Sequence, residues 1–112
     1  ANLDAADLTE ADLSTAKLEG TSFCGSVLDS VLLKGASGEA AHMEKARLNG
    51  ANLSRCDLPR LVLREAQAEG LLLLHTNLEF ADLRDAVLGG VSGEAAVLED
   101  ADLRGSSLRG AE

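Results

Sequence analysis

The sequence predicts an all-β solenoid in which the chain coils around an apolar axis and turns a corner after every five residues. Leu occupies 17 of the 22 positions that recur every five residues from Leu3 to Leu108, and the phase never slips. The apolar residues are mostly 22 Leu and 18 Ala, with two Phe as the only aromatic residues, which is not the mixture that fills an ordinary globular core. The 11 Gly argue against long uninterrupted helices.

The repeating unit is a pentad, first seen as Ala-Asn-Leu-Asp-Ala, Ala-Asp-Leu-Thr-Glu and Ala-Asp-Leu-Ser-Thr. Ala occupies 14 of the 23 first positions, and the remaining first positions are also small or apolar. The third positions that are not Leu are Phe23, Gly38, Met43, Ala68 and Gly93. The first and third residues of each pentad are therefore suited to an interior.

A period of five fits neither a helix nor a flat sheet. On a helix five residues advance about 500°, so successive leucines would step around the axis by about 140°. In a straight strand side chains alternate with period two, so an odd repeat would put successive leucines on opposite faces. A chain that turns after each pentad can instead point its first and third residues inward and the other three to water.

The repeat Ala-(Asp/Asn)-Leu-x-x resembles that of the pentapeptide repeat family, and the resemblance covers essentially all 112 residues. It implies a right-handed quadrilateral parallel β-helix with four pentads per coil, hence a 20-residue coil and 112/20 = 5.6 coils. At a strand spacing of about 4.8 Å the rod is about 27 Å long. We expect residues 1–112 to form a single domain cut from a longer protein, because the chain begins at Ala1 rather than Met.

In this register residues 20 apart stack, and the central residue of each pentad points inward. Gly38, Ala68 and Gly93 leave the interior underfilled, so we expect a cavity or an inward movement of the wall at each. Residues 36–55 match residues 91–110 at 10 of 20 positions, which favours duplication of eleven pentads over a functional loop. The predicted core residues are Leu3, Leu8, Leu13, Leu18, Phe23, Leu28, Leu33, Met43, Leu48, Leu53, Leu58, Leu63, Leu73, Leu78, Leu83, Leu88, Leu98, Leu103 and Leu108.

The acidic charge balance excludes several classes of partner. The 19 Asp and Glu outnumber the 10 Lys and Arg, giving a net charge of −9 without any basic run. Direct binding to nucleic acid or to an anionic membrane is therefore not expected. The longest apolar run, Leu71 to Leu74, is too short to span a bilayer. We expect a soluble protein of the bacterial cytoplasm.

The cysteines and histidines do not suggest catalysis. Cys24 falls on an outward position and Cys56 on an inward position of another wall, too far apart for a disulfide in this register. We expect free thiols and a reducing compartment. His42 and His75 lie on different walls, and neither completes a triad with a cysteine. The sequence therefore predicts no catalytic residue.

No metal or cofactor site is predicted either. A structural zinc site needs about four closely spaced Cys or His ligands, whereas the four such residues here are scattered. Asp82 and Asp102 stack in one column, but His42 and Val62 continue that column, so it is a weak candidate for a cation. No phosphate-binding loop is present.

Outward leucines are the one unusual surface feature. Leu72 and Leu74 fall on outward positions, Leu32 shares the column of Leu72, and Phe80 lies at a corner further along. These four residues are a candidate protein-interaction patch. The alternative is a scatter of surface hydrophobic residues, which is common in monomers.

The leading prediction is a non-enzymatic structural or protein-interaction module, a rigid scaffold or spacer. Its partner would be another protein, the flanking domains of its own parent chain, or a second copy bound end to end or wall to wall, because the ends of the coil expose unpaired backbone. The resemblance implies one alternative, since acidic family members of the quinolone-resistance type mimic DNA and bind type II topoisomerases. Against it, about 16 charges would match DNA over about 27 Å, whereas the chain carries a net 9.

Overall fold

The computed structural model describes residues 1–112 as a parallel coil of four pentads per turn. Isolated parallel bridges join each second residue of a pentad to the residue 20 positions later, for example Asn2 to Ser22, Ser22 to His42 and His42 to Val62. The structure contains no helix and no strand longer than one bridged residue, because a turn begins two residues after each bridge. Its dimensions are 30 × 20 × 20 Å.

Each pentad forms one wall of the coil. We number the walls in chain order, so that wall 1 begins at residue 1, wall 2 at residue 6, wall 3 at residue 11 and wall 4 at residue 16, and each recurs once per coil. Equivalent residues of successive coils therefore lie in one column along a wall. The structure contains no helix with the length and hydropathy needed to cross a membrane.

Backbone hydrogen bonds join each coil to the next in a fixed pattern. The Leu28 N–H donates to the Arg47 carbonyl at 2.6 Å, and the Arg47 N–H donates back to the Ser26 carbonyl at 3.0 Å. The Ser30 N–H donates to the Asn49 carbonyl at 2.9 Å. These three bonds recur along the coil, since third and fifth residues donate to the next coil and second residues donate to the preceding coil. Most buried backbone groups are therefore paired.

The corners are β-turns with a positive φ at the fifth residue of every pentad. The N–H of the following residue closes every turn but one, as when Val31 donates to the Leu28 carbonyl at 3.0 Å. This pattern is typical of a type II turn, which favours glycine at that position. Nevertheless 14 of the fifth residues are not glycine, including His75 at 56° and Phe80 at 58°. Pro59, at the fourth position, suits the first central residue of such a turn.

The backbone ladder leaves the N–H of each fourth residue without a backbone acceptor. Asp and Asn side chains at second positions accept hydrogen bonds from these N–H groups. In wall 3 the side-chain oxygens of Asp12 and Asn52 accept from the N–H groups of Ser14 and Ser54, both at 3.0 Å. An Asp or Asn at the fourth position can do the same for the next coil, as when Asn49 accepts from the Glu69 N–H at 3.0 Å. Short acceptors of this kind are favoured in turns because they reach nearby amides.

The core is continuous through the middle of the coil and opens at its ends. Central residues from Leu18 to Leu88 are buried, as are most first residues between them. Leu3, Leu8, Leu13 and Leu103 are only partly buried against this core. The prediction of inward burial is wrong for Leu98 and Leu108, which are 39% and 46% exposed. They lie in the last turns of the coil, where no further coil covers them.

The three underfilled positions behave differently. At Gly38 the backbone of the preceding coil leaves no room for a side chain, since a Cβ there would lie 2.5 Å from the backbone nitrogen of Glu19. Gly38 has a φ of 145°, and the turn after it is the one turn without its closing hydrogen bond. At Gly93 an apolar cavity of about 220 Å³ opens toward the C-terminal end of the coil. Ala68 is fully buried and lines no cavity.

Candidate interaction surface

Wall 3 carries three of the four residues predicted to form an apolar patch. Leu32, Asn52 and Leu72 are neighbours in one column through consecutive bridges. Leu32 is 42% exposed, whereas Leu72 and Leu74 are half-buried. The structure therefore places these leucines on one wall, with Asn52 between the first two.

The fourth predicted residue, Phe80, does not join them. It occupies the fifth position of wall 4, so its corner is separated from Leu74 by the width of that wall. Its ring is 48% exposed, and the guanidinium carbon of Arg60 lies 5.0 Å from its centroid. Arg60 also contacts Glu39 at 3.2 Å. Phe80 thus belongs to a separate cluster on wall 4, in which Arg60 joins a cation–π contact to an ion pair.

Wall 4 is the most acidic surface. Its ionisable side chains give a net charge of −4, against −2 for walls 1 and 2 and −1 for wall 3. Its fourth-position column is Glu19, Glu39, Pro59, Glu79 and Glu99, with one residue per coil. The excess negative charge of the molecule is therefore spread over all four walls with a bias toward wall 4.

Wall 1 contains a polar cluster that the sequence analysis missed. The Cys24 thiol donates to Glu44 at 3.2 Å, and Nδ1 of His42 lies 3.1 Å from the other oxygen of Glu44. The Ser22 hydroxyl donates to Asp4 and lies 3.4 Å from the Cys24 sulfur. Register alone could have found this group, because Glu44 follows Cys24 by one full coil and so shares its column.

The electrostatics of this cluster do not activate the thiol. The hydrogen bond from Ser22 lowers the pKa of Cys24, but burial together with the hydrogen bond and charge of Glu44 raises it above its ordinary value. Burial acts to raise the pKa of Glu44, but hydrogen bonds from its own amide, Cys24 and His42 together bring it below its ordinary value. A catalytic cysteine needs a lowered pKa, so this arrangement keeps Cys24 protonated at neutral pH.

The second cysteine is a core residue. Cys56 is buried, and its thiol donates to the Leu33 carbonyl at 2.9 Å. Burial raises the pKa of Cys56 to about 11. Cys24 and Cys56 are both free thiols, and they lie on different walls of the coil.

The stacked carboxylates of wall 1 are paired with arginines. Arg84 donates to both oxygens of Asp82 at 2.9 and 2.8 Å, and Arg104 donates to both oxygens of Asp102 at 2.9 and 2.6 Å. The hydrogen bond from Arg104 lowers the pKa of Asp102 to about 2. No group of three or more His, Cys, Asp or Glu side chains in the structure is arranged so that it could hold a metal ion. His75, the remaining candidate base, is exposed at a corner of wall 3.

Two shallow concave surfaces lie on the outside of the coil. The largest lies on wall 2, where Gly70, Gly89 and Gly90 leave a space of about 560 Å³ between Glu69 and Arg109. Another, of about 240 Å³, is lined by Glu44, Lys45, Arg64 and Glu65 on wall 1. Every buried side-chain oxygen and nitrogen has a hydrogen-bond partner.

An apolar coil with columns of outward side chains defines a solenoid protein. The family model for pentapeptide repeats matches eight copies, over residues 6–37, 25–60, 41–73 and 72–110. The chain belongs to the pentapeptide repeat family. A comparison with curated protein sequences gave no match.

Solved structures of other pentapeptide repeat proteins share the fold. A protein of the Arabidopsis thaliana thylakoid lumen is 26% identical, with a TM-score of 0.53 over 86% of this chain and 63% of that chain. Trypsin-treated QnrB1, a plasmid-mediated fluoroquinolone resistance protein, is 18% identical, with a TM-score of 0.51 over 96% of this chain and 60% of that chain. This chain spans less than two thirds of the length of either protein.

Proposed function

We propose that this chain is a non-enzymatic module for protein–protein interaction, a rigid rod that presents fixed columns of side chains on four walls. The observation that carries this proposal is the filled interior. Apolar side chains close the coil from Leu18 to Leu88, so recognition falls to outward residues held at one-coil spacing. The free cysteines support a reducing compartment.

The finer features of the fold are part of the same proposal. We take the coil to be right-handed, as in the family, and at four pentads per coil the chain makes 112/20 = 5.6 coils. We also take residues 1–112 to be one domain of a longer protein, since the chain spans about 60% of the similar QnrB1 chain. The parent chain or a separate protein would then supply the partner.

The proposal is tested by capturing partners with variants of single walls. Tagged wild-type protein would be isolated from its source cells beside Leu72→Ser on wall 3 and Glu79→Lys on wall 4, and bound proteins quantified by mass spectrometry. We expect at least one partner to be lost with one variant and retained with the other, because each wall recognises separately. Equal recovery of every bound protein with both variants would contradict the proposal.

A second candidate, a DNA mimic that binds a type II topoisomerase, is favoured by the glutamate column of wall 4. Glu19, Glu39, Glu79 and Glu99 place a carboxylate on four of the five coils, about 4.8 Å apart between adjacent coils and about twice that across Pro59. A stripe of negative charge on a rod suits a basic groove shaped for DNA. The fold is also that of QnrB1, a plasmid-mediated fluoroquinolone resistance protein.

This candidate is tested with a gyrase supercoiling assay at low and high salt. We expect inhibition at micromolar protein and low salt that weakens as salt screens the charges. The double variant Glu79→Lys/Glu99→Lys should lose the inhibition. A wall 2 double variant with the same net charge, Glu10→Lys/Glu69→Lys, should keep it. Unchanged supercoiling at low salt would eliminate this candidate.

A further inference from the structure

Wall 3 is the surface on which two copies of this acidic molecule would repel each other least. Lys34 and Arg55 offset all but one of the charges of Asp12, Glu94 and Glu112, so 2 − 3 gives a net charge of −1. The other walls carry −2, −2 and −4. Repulsion between like-charged surfaces grows with their charge, so self-association of a molecule with net charge −9 favours this wall.

The shape of wall 3 also allows close approach. The corner between walls 2 and 3 contains Gly50, Gly70 and Gly90 on three successive coils. No side chain at this corner therefore projects beside Leu72. On the other edge Ser54 is buried although it occupies an outward position, between Lys34 and Leu74 in its column. The wall is therefore flat, with leucines at its centre.

Apart from Asp12 on the first coil, the charges of wall 3 are separated along the coil axis. Lys34 and Arg55 lie on the coils before Leu72, and Glu94 and Glu112 lie on the coils after it. Consider a two-fold axis in the plane of the wall, perpendicular to the coil axis and level with Leu72. It sets Leu72 and Leu74 against the same residues of the second copy, with Arg55 beside Glu94 of that copy and Lys34 level with its Glu112. Two copies side by side in parallel would pair none of these charges.

We propose that wall 3 is an antiparallel two-fold interface between two copies of this chain, centred on Leu72 and Leu74. The inference rests on the proposed function, because it names the partner of one wall. A wall of at most 30 × 20 Å buries no more than about 600 Å² per copy, or about 1,200 Å² in total. That area is the lower limit for a specific interface, so we expect dissociation constants in the micromolar range.

The first test is the solution mass by sedimentation velocity from 1 to 500 µM. We expect a reversible dimer. Leu74→Lys should raise its dissociation constant at least about tenfold, because the two-fold axis places the substitution in the interface once from each copy. Phe80→Lys is the matched control, since it places the same charge at an exposed apolar site outside wall 3, and it should leave the dimer unchanged. A wild-type monomer throughout the range would overturn the proposal, whereas partner capture by other walls would be unaffected.

The second test is a charge exchange that does not alter the core. Arg55 and Glu94 are both exposed, so their variants should fold. Arg55→Glu and Glu94→Arg should each weaken the dimer several-fold, and the double variant should restore it, because the pair is formed between copies. The proposal would be overturned if the double variant lost as much dimer affinity as the two single variants lose together. It would also be overturned if the dimer were lost only when Leu98 and Leu108, at the end of the coil, are changed.

Discussion

At the scale of single residues, the corners hold more strain than the walls. Every fifth residue has a positive φ, yet 14 of them carry a side chain, among them Ser30 at 57°. A residue other than Gly, Asn or Asp in this region costs about 1 kcal/mol or more. The corners can carry this cost because the ladder bonds on both sides of each turn hold the backbone in place.

This strain predicts opposite effects of adding and removing a side chain at two fifth residues of wall 2. Ser30→Gly should stabilise the protein by about 1 kcal/mol, because the relief of strain outweighs the flexibility of glycine. Gly50→Ala, one coil further with a φ of 69°, should destabilise it by a similar amount. Urea denaturation of both variants measures the difference. A loss of stability in Ser30→Gly would contradict the strain argument.

The buried thiol of Cys56 predicts a loss of stability in alkali. Its folded pKa is raised from 9.0 to about 11 by burial. A raised folded pKa stabilises the protein fully below the unfolded value, and this contribution is lost as pH rises between the two. The unfolding free energy should therefore fall from pH 9 to pH 11 in the wild type.

The control for this prediction is Cys56→Ala, which removes the titrating group from the same buried site. Its unfolding free energy should depend less on pH over the same window, whatever its absolute value. Parallel curves for wild type and variant would show that Cys56 does not account for the alkaline slope.

At the scale of the pentad, one sequence phrase forms two different turns. Ser-Gly-Glu-Ala-Ala occurs at residues 37–41 and again at residues 92–96. The second copy closes its turn with a 2.9 Å bond from the Ala96 N–H to the Gly93 carbonyl, whereas Gly38 has no such bond. Coils flank Gly38 on both sides, while Gly93 faces the open end, so packing between coils rather than local sequence decides the turn.

These two glycines should respond oppositely to the same substitution. Gly38→Ala should destabilise the protein by at least about 2 kcal/mol, because its Cβ would meet the backbone of Leu18 and Glu19 at 2.5 to 2.9 Å. Gly93→Ala should be neutral or stabilising by up to about 1 kcal/mol, since its nearest contacts would be at 3.6 and 3.8 Å. Thermal melts of the pair test this directly. Equal losses in both variants would contradict it.

The pentad pattern predicted which residues point inward and which residues stack, because a fixed period determines both once the coil length is known. It did not predict the strained corners, since Ala, Arg and Phe at fifth positions give no sign of a positive φ. The cluster of Cys24, Glu44 and His42 was within reach of the register but needed side-chain distances to be recognised. Of the predicted patch, Phe80 lies one corner beyond the three leucines, as its place in the pentad predicts.

At the scale of the whole molecule, stability decreases from the middle of the rod to its ends. Central coils have neighbours on both sides, whereas the N–H groups of Leu98 and Leu103 have no acceptor and Leu108 is exposed. In a linear array each unit is stabilised chiefly by its neighbours. The ends should therefore open more often than the centre.

Hydrogen exchange should show this gradient. Amides of the central coils, such as those of Leu48, Leu53 and Leu63, should exchange most slowly, by about a hundredfold or more relative to those of the first and last coils. The bonded amide of Ser107 in the last coil serves as an internal control, because it differs from the central amides in position rather than in pairing. Uniform protection along the chain would indicate a single cooperative unit instead.

The arithmetic of the coil gives its surface an unusual freedom to diversify. The position of a residue within its pentad determines whether its side chain points inward or outward. The number of pentads before it determines on which of the four walls it lies. The duplicated phrase is displaced by eleven pentads, which is two full coils and three further walls. Ser37 and Ser92 therefore carry the same chemistry on adjoining walls, about a quarter turn apart. Copying any whole number of pentads lengthens the rod without disturbing its core. A copy displaced by a number of pentads that is not a multiple of four presents its side chains on a different wall.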